Sequence, residues 1–339
     1  MKTLLRTMVI IAFGLLLSCS SRIRQAAYPT LFDNEYDSEF PYRSSSDQLE
    51  EISASVKIMF STAFYNSYYF DEKFAVTPTA VRAGAAEKYA YRYLNTQASV
   101  SGTATVIYYD TKRVALLTCA HVVEFSDTVY SYYPSGHVQS VSFLQRQSNF
   151  IRDLPEGGEL EVLAIDSKND IAIIGRSFDH MPQEPVHVFG YPIGQSKKLR
   201  WGSFVYVIGY PMGFKMVTKG TVSSPNRDRN GSFLTDAPMN EGLSGGIVLA
   251  IKDGVPNFEL VGVAKSISAT QEYYLMPDPG FTQEIPAPSL YKGELYARLK
   301  TEYRYGITHV VSTEILRSMY EKYKKSIDAK GYSMDALFK

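Results

Sequence analysis

Three side chains in this chain stand where carbonyl chemistry could be done, each at the edge of an apolar run. Ser244 lies in Asn240-Glu241-Gly242-Leu243-Ser244-Gly245-Gly246, which leads directly into Ile247-Val248-Leu249-Ala250-Ile251. A serine framed by glycines ahead of a buried strand has the form of a nucleophile loop. Gly242 can take a backbone conformation that a β-carbon resists, and Gly245 and Gly246 leave room for a substrate against the main chain. His121 follows Leu116-Leu117-Thr118-Cys119-Ala120, and Asp170 precedes Ile171-Ala172-Ile173-Ile174. A base accepting the serine proton and a carboxylate fixing the imidazole tautomer complete an acyl-transfer set. The chain order is His, Asp, Ser, one of several orders known for this chemistry.

The elements that must carry these residues read as short strands. Thr103–Tyr109, Val114–Thr118, Val138–Leu144, Leu160–Ile165, Ile171–Gly175, Ser203–Gly209, Lys215–Val222, Gly246–Ile251 and Leu260–Ile267 are apolar or alternating runs separated by turn residues. That pattern predicts a β-sandwich or barrel rather than a parallel α/β sheet. Val56, Ile58 and Phe60 alternate as an opening strand would, and Asp47–Ile52 reads as a short helix before it. The alanine-rich stretch within Thr77–Gln97 reads as an inserted helix, and Thr313–Lys325 as a closing helix with Ile315, Leu316 and Met319 on one face. Four prolines between Ser268 and Lys292 argue against regular structure there and mark a surface excursion.

The ordered set of motifs resembles the trypsin-like serine proteases of the HtrA/Deg branch. Thr118-Cys119-Ala120-His121-Val122-Val123 is similar to that group's histidine motif, and Asn169-Asp170-Ile171-Ala172 to its aspartate motif. Val207-Ile208-Gly209-Tyr210-Pro211-Met212-Gly213 and Thr218-Lys219-Gly220-Thr221-Val222-Ser223 resemble its glycine-proline turn and the following strand. Gly242-Leu243-Ser244-Gly245-Gly246 resembles the serine motif, and Leu260–Val263 with Gly306–Val311 the last barrel strands. The resemblance spans about residues 99–326. It implies a mainly β fold of two six-stranded antiparallel barrels, with a first barrel over 51–180, an insertion at 75–98, a second barrel with the closing helix over 181–326, and a tail at 327–339.

The resemblance also implies the roles. Ser244 attacks a peptide carbonyl, His121 takes and returns the proton, Asp170 orients His121, and the N–H groups of Gly242 and Ser244 hold the oxyanion. Pro238, Met239, Val263, Ala264 and Lys265 are expected to line the substrate pocket. Pro238 stands where trypsin has its acidic pocket residue, so small or apolar side chains should be preferred to Lys or Arg. The chemistry calls for no metal and no cofactor, and polypeptides are the expected substrates. The interval from His121 to Asp170 is longer than in compact bacterial members, which predicts a loop insertion around Ser135–Gly158. Leu243 departs from the family's Asn or Asp before the serine and cannot steady the oxyanion loop through a polar side chain. His137, His180, His187 and His309 have no expected catalytic part.

Residues 1–18 read as a signal peptide, with Lys2 and Arg6 ahead of an apolar stretch too short to span a bilayer comfortably. Leu16-Leu17-Ser18-Cys19 resembles a bacterial lipobox, which implies lipidation of Cys19, a tether over 19–50 and a membrane partner. Ser20, rather than aspartate, after the cysteine favours the outer membrane. With only two cysteines and Cys19 lipidated, Cys119 has no intrachain partner and reads as a small buried hydrophobe. About fourteen residues follow the closing helix, too few for a PDZ domain.

Composition sets the remaining bounds. Of 339 residues 45% are hydrophobic and 21% charged, ordinary values for a chain with material for two cores. Thirty-five basic and 35 acidic side chains give zero net charge, so nucleic acid has no electrostatic claim as the main partner. Tyrosine is abundant at 26 against one tryptophan, which suits a β-protein. Two other functions compete: a non-catalytic lipoprotein that uses this fold to bind peptides or partners, and an α/β-hydrolase esterase, since Gly242-Leu243-Ser244-Gly245-Gly246 also fits the G-x-S-x-G elbow. The esterase needs a helix after the serine and its histidine downstream, whereas Ile247–Ile251 reads as a strand and only His309 lies downstream.

Overall fold

A computed structural model describes residues 33–155, 157–265, 269–277, 295–303 and 306–338. The signal and lipobox residues lie outside these. Two β-structures divide the rest.

The first is a seven-stranded antiparallel sheet in the order β4-β5-β1-β2-β3-β7-β6. Its strands are β1 (Val56–Phe70), β2 (Ala90–Tyr109), β3 (Arg113–Thr118), β4 (Thr128–Tyr132), β5 (Val138–Ile151), β6 (Glu161–Asp166) and β7 (Ile171–Ser177). Six of them, β5 to β6 in that order, roll into a barrel-like curve whose seam is not a strand ladder. Leu160 N–H donates to Asn149 O at 3.0 Å and Asn149 Nδ2 donates to Leu160 O at 3.2 Å, so the seam is bridged only just before β6. Fully buried Leu116, Leu117, Ile171, Ile173 and Ile174 fill the interior.

Two expectations change here. The expected loop around Ser135–Gly158 is largely strand: the run expected over Val138–Leu144 continues to Ile151 and pairs with β1 across Met59–Tyr69. The inserted helix is confined to short turns over 78–89, broken where Gly84 takes φ +88°. From Ala90 the chain is already β2, and Tyr91, Tyr93 and Leu94 belong to a 20-residue strand. The outer ends of β1, β2 and β5 thus form an arm with its own small core of Phe70, Val76, Val81, Ala86, Val138 and Val141.

The second structure is a closed barrel, β10-β15-β12-β11-β8-β9. It comprises β8 (Phe204–Gly209), β9 (Met216–Ser224), β10 (Phe233–Thr235), β11 (Ile247–Ile251), β12 (Phe258–Lys265) and β15 (Thr308–Ser312). Every residue of β8 and of β11 is buried, as unbroken apolar runs require. β13 (Ala269–Pro277) and β14 (Leu295–Tyr303) pair as a separate hairpin after β12. The first part of the proline-rich excursion is therefore a strand; residues 278–294 lie outside the described set.

Helices tie the halves together. Ser46–Ser55 packs Ile52 into the core beneath β1. Thr313–Ala329 leaves β15 with Ser312 Oγ accepting from Ile315 N–H at its first turn. Its buried face, including Ile315, Leu316, Met319 and Ile327, joins the same core as β3 and β7. Ahead of it all, residues 36–43 strap onto the second barrel. Asp37 N–H donates to Ile251 O at 2.9 Å, and Tyr36 Oη donates to Glu259 Oε2 at 2.6 Å.

Candidate active site

His121 sits on one helical turn, Ala120–Val123, that follows β3. Val122 and Val123 are buried beneath that turn, which turns the imidazole outward with 39% of its side chain exposed. Asp170 ends the turn between β6 and β7 in a left-handed conformation, φ +63°. A non-glycine residue held there costs on the order of 1 kcal/mol and marks a constrained position. The β3–β7 register, with Thr118 opposite Ala172, brings both residues to one end of the sheet. Asp170 Oδ1 accepts the His121 backbone N–H at 2.9 Å, and both carboxylate oxygens lie 2.8 Å from Nδ1. That pairing places the imidazole proton on Nδ1 and leaves Nε2 to accept one.

Ser244 belongs to the tight loop before β11. The loop meets the first sheet at Thr103 of β2, which neither composition nor spacing singles out. Thr103 N–H donates to Ser244 O at 2.8 Å, and Thr103 Oγ1 donates to Gly242 O at 2.8 Å while accepting Tyr210 N–H at 2.9 Å. Thr103 O in turn accepts from Thr118 Oγ1 at 2.8 Å, three residues before His121. One threonine therefore joins the serine loop to the histidine strand. The approach demands small residues: a β-carbon on Gly245 would collide with Thr103 O and stand 2.7 Å from Thr118 Oγ1, and one on Gly102 would meet Val122 at 2.8 Å. Glycine inside a strand pattern was the legible signal for Gly102. Thr103 offered none.

The main chain of the loop is unequally committed. Leu243 N–H donates to Asn240 O, Gly245 N–H to Ala264 O, and Gly246 N–H to Leu243 O. Among the described residues neither Gly242 N–H nor Ser244 N–H has a hydrogen-bond partner. Met212 N–H holds the Glu241 carbonyl at 2.7 Å, which sets the plane of the peptide carrying the Gly242 N–H. Two free donors flanking a nucleophile can receive a developing oxyanion. Leu243 is 1% exposed, in the second-barrel core with Val248, Val261 and Val310. Burial of a leucine side chain stabilises by about 2 kcal/mol, so an apolar anchor holds the loop where a polar one was expected.

Thr103 and Thr118 link the Ser244 loop to the strand that precedes His121, but among the described residues no hydrogen bond of 3.5 Å or less joins Ser244 Oγ to His121. Ligand-free sites commonly tighten only on binding. The pocket residues separate into two groups. Met239, Val263 and Ala264 are sealed in cores, whereas Pro238 is exposed and Lys265 half-buried. Ala264 contributes its backbone, accepting from Gly245 N–H at 2.9 Å and from Cys119 Sγ at 3.3 Å. Burial pushes the Cys119 thiol well above its ordinary range and the Asp170 carboxylate adds to that, so the thiol is protonated in the ligand-free chain. His309 lies in β15, opposite Lys265 on one side and Leu234 on the other. Burial, then Lys265 and Arg227, keeps its imidazole below the usual range, a half-buried strand histidine with no bond to His121 or Asp170 among the described residues.

Residues 102–263 match the trypsin-like peptidase domain family. A serine protease HtrA-like protein of Staphylococcus haemolyticus (strain JCSC1435) is 30% identical over 153 residues, 38% of this chain and 23% of that protein. The chain thus spans under a quarter of that relative's length. Among solved structures, the HtrA-type protease AlgW with decapeptide is 16% identical at a TM-score of 0.43, covering 84% of this chain and 68% of that one. The serine endoprotease from Yersinia pestis is 17% identical at a TM-score of 0.40, covering 84% and 68%.

Proposed function

From the premise that this chain carries a trypsin-like peptidase domain over residues 102–263, we propose that it is a serine endopeptidase working through an acyl-enzyme. The observation that supports the reading is the hydrogen-bonded His121–Asp170 pair together with a serine loop, tied through Thr103 to the strand before His121, whose Gly242 and Ser244 N–H donors are uncommitted. Ser244 Oγ adds to the scissile carbonyl as its proton passes to His121 Nε2. Asp170, on Nδ1, fixes the tautomer and stabilises the imidazolium. Gly242 and Ser244 N–H receive the oxyanion, each worth roughly 3–4 kcal/mol of barrier. His121 then protonates the departing amine, and water takes the reverse path to release the acyl group.

Pro238, where trypsin-like enzymes specific for Lys or Arg carry an acidic residue, supports a preference for small or apolar residues before the cut; efficient cleavage after arginine would contradict this. Lipidation of Cys19 and residence in the bacterial cell envelope, with the outer membrane favoured, complete the proposal, on the strength of the lipobox-like Leu16-Leu17-Ser18-Cys19. Loss of palmitate incorporation in Cys19→Ala tests the anchor.

The decisive experiment is labelling with a fluorophosphonate. Wild-type protein should label on Ser244, with labelling abolished in Ser244→Ala and reduced at least about a thousandfold in rate in His121→Ala. Absence of labelling in folded wild-type protein would leave a peptide-binding role for the fold.

A further inference from the structure

Cys119 takes no part in the proposed mechanism, yet it lies directly behind the catalytic pair. Cys119 Sγ, a ring nitrogen of His121 and a carboxylate oxygen of Asp170 all lie within 4.8 Å of one another. Thiol, imidazole and carboxylate are the donor types that bind zinc and its softer relatives, with bonds of about 2.0–2.3 Å in a tetrahedral shell. In such a shell neighbouring donor atoms stand about 3.5 Å apart. The pair at 2.8 Å must open slightly, and the sulfur must move inward. A second feature also points to a cation. Beside the pair lies a cleft of about 570 Å³ lined by His121 and by the carboxylates of Glu124, Asp127 and Asp170, with no Lys or Arg in its lining.

We infer that Cys119, His121 and Asp170 form an inhibitory binding site for a soft divalent metal ion of the zinc or cadmium type. Binding stands on this geometry alone; the inhibitory consequence rests on the reading of His121 as the base. The acidic cleft concentrates the cation and gives it a path to the pair. On binding, Cys119 releases its thiol proton to solvent and becomes a thiolate. The imidazole proton leaves Nδ1 for Nε2 by exchange with water, and Nδ1 takes the metal. One thiolate and one carboxylate then balance the two positive charges, so the site passes from the single negative charge of the free carboxylate to neutral. A water molecule fills the fourth position from the exposed side of His121. With its proton on Nε2, His121 cannot accept the Ser244 proton, and attack is blocked. Magnesium and calcium, which favour oxygen ligands, are excluded by the donor set.

Titrating the full-length protein with cadmium tests this, because thiolate-to-cadmium charge transfer gives an ultraviolet band that does not depend on catalysis. The band should grow to one ion per chain in wild type, Ser244→Ala and Cys19→Ala, and be absent in Cys119→Ala. His121→Ala should weaken binding at least about tenfold. Zinc should block fluorophosphonate labelling of wild type, a chelator should restore it, and Cys119→Ala should label alike with and without zinc. No band in wild type, a band lost in Cys19→Ala but kept in Cys119→Ala, or unchanged affinity in His121→Ala would overturn the site. Equal zinc inhibition of Cys119→Ala would overturn its inhibitory role. If Ser244 fails to label even without metal, the protease reading falls while the band still decides the metal site.

Discussion

The two β-structures supply the site in different ways. The first is an open sheet with edges at β4 and β6, extended by an arm with its own core. It contributes His121 and Asp170, whose relative position is set by one register, Thr118 opposite Ala172. The second is closed, and the serine loop it carries is gripped by Thr103, Met212 and Ala264. A base and its carboxylate need only find each other, and a hydrogen bond tolerates small adjustments. Under the proposed mechanism the Gly242 and Ser244 N–H groups tolerate far less, because an oxyanion hole must be formed before charge develops. The part needing the tightest preorganisation stands on the barrel without edges, and the open sheet is left free to grow an arm.

Breaking the junction between the halves should give the largest effect. Gly245→Ala drives a β-carbon into Thr103 O at a residue already at φ +89°. The serine loop should lose its hold on β2, with fluorophosphonate labelling falling at least about a hundredfold and stability by about 2–4 kcal/mol. Gly84→Ala, also at positive φ but with nothing within 4 Å of the new carbon, should leave labelling within about twofold. Equal rates for these two variants would erase the distinction between site scaffold and arm.

Next comes the apolar anchor. Leu243→Asn restores the residue type the family resemblance leads one to expect, but into a fully enclosed apolar setting beside Val248 and Val261. Burying an unpartnered amide there should cost about 2–4 kcal/mol, read as a lower urea midpoint. An unchanged midpoint would mean that the loop can turn outward and that the closed barrel does not hold it.

Thr103→Val keeps the volume and removes two hydrogen bonds, to Gly242 O and from Tyr210 N–H. Stability should drop by about 1–3 kcal/mol. Labelling should slow by more than the unfolded fraction explains, because Gly242 loses the contact that sets its peptide. A rate unchanged at full folding would assign the loop's geometry to the second barrel alone.

The residues behind these effects differ in how legible they were in the chain. Strands such as Ile171–Ser177 and Ile247–Ile251 are short apolar runs between turn residues, and period and length identify them directly. His121, Asp170 and Ser244 were legible because each sits at the end of such a run. Thr103 was not: its importance comes from contacts with Gly242, Ser244, Tyr210 and Thr118, three of them more than a hundred residues away. Leu243 was read as an absent polar group, since nothing local tells which way a loop side chain turns. Val138–Leu144 reads as a strand, but its continuation to Ile151 reads as loop because polar residues such as Gln145 and Gln147 hide the alternation there.

The smallest expected effect concerns the strap that crosses the closed barrel and, among the described residues, has no counterpart on the open sheet. Asp37 is 8% exposed, and its carboxyl is pushed up to about 6, first by burial and then by the charges of Glu39, Asp253 and Asp33, against the pull of the Gly254 N–H. Its ordinary value is 3.8. Between about pH 4 and 6 the folded chain therefore keeps a proton that the unfolded chain releases. Stability falls as pH rises through that window and returns on acidification. Above it, the ionised carboxylate remains as a cost of at most about 3 kcal/mol, reduced to on the order of 1 kcal/mol where solvent screens it. Asp37→Asn keeps an oxygen for the Gly254 N–H and removes the charge, so it should be more stable than wild type at pH 7 and converge with it near pH 4. Urea midpoints at pH 4, 5, 6 and 7 measure the difference. Parallel curves for the two proteins would show that the strap detaches without burying its carboxyl, leaving the closed barrel to hold the serine loop without it.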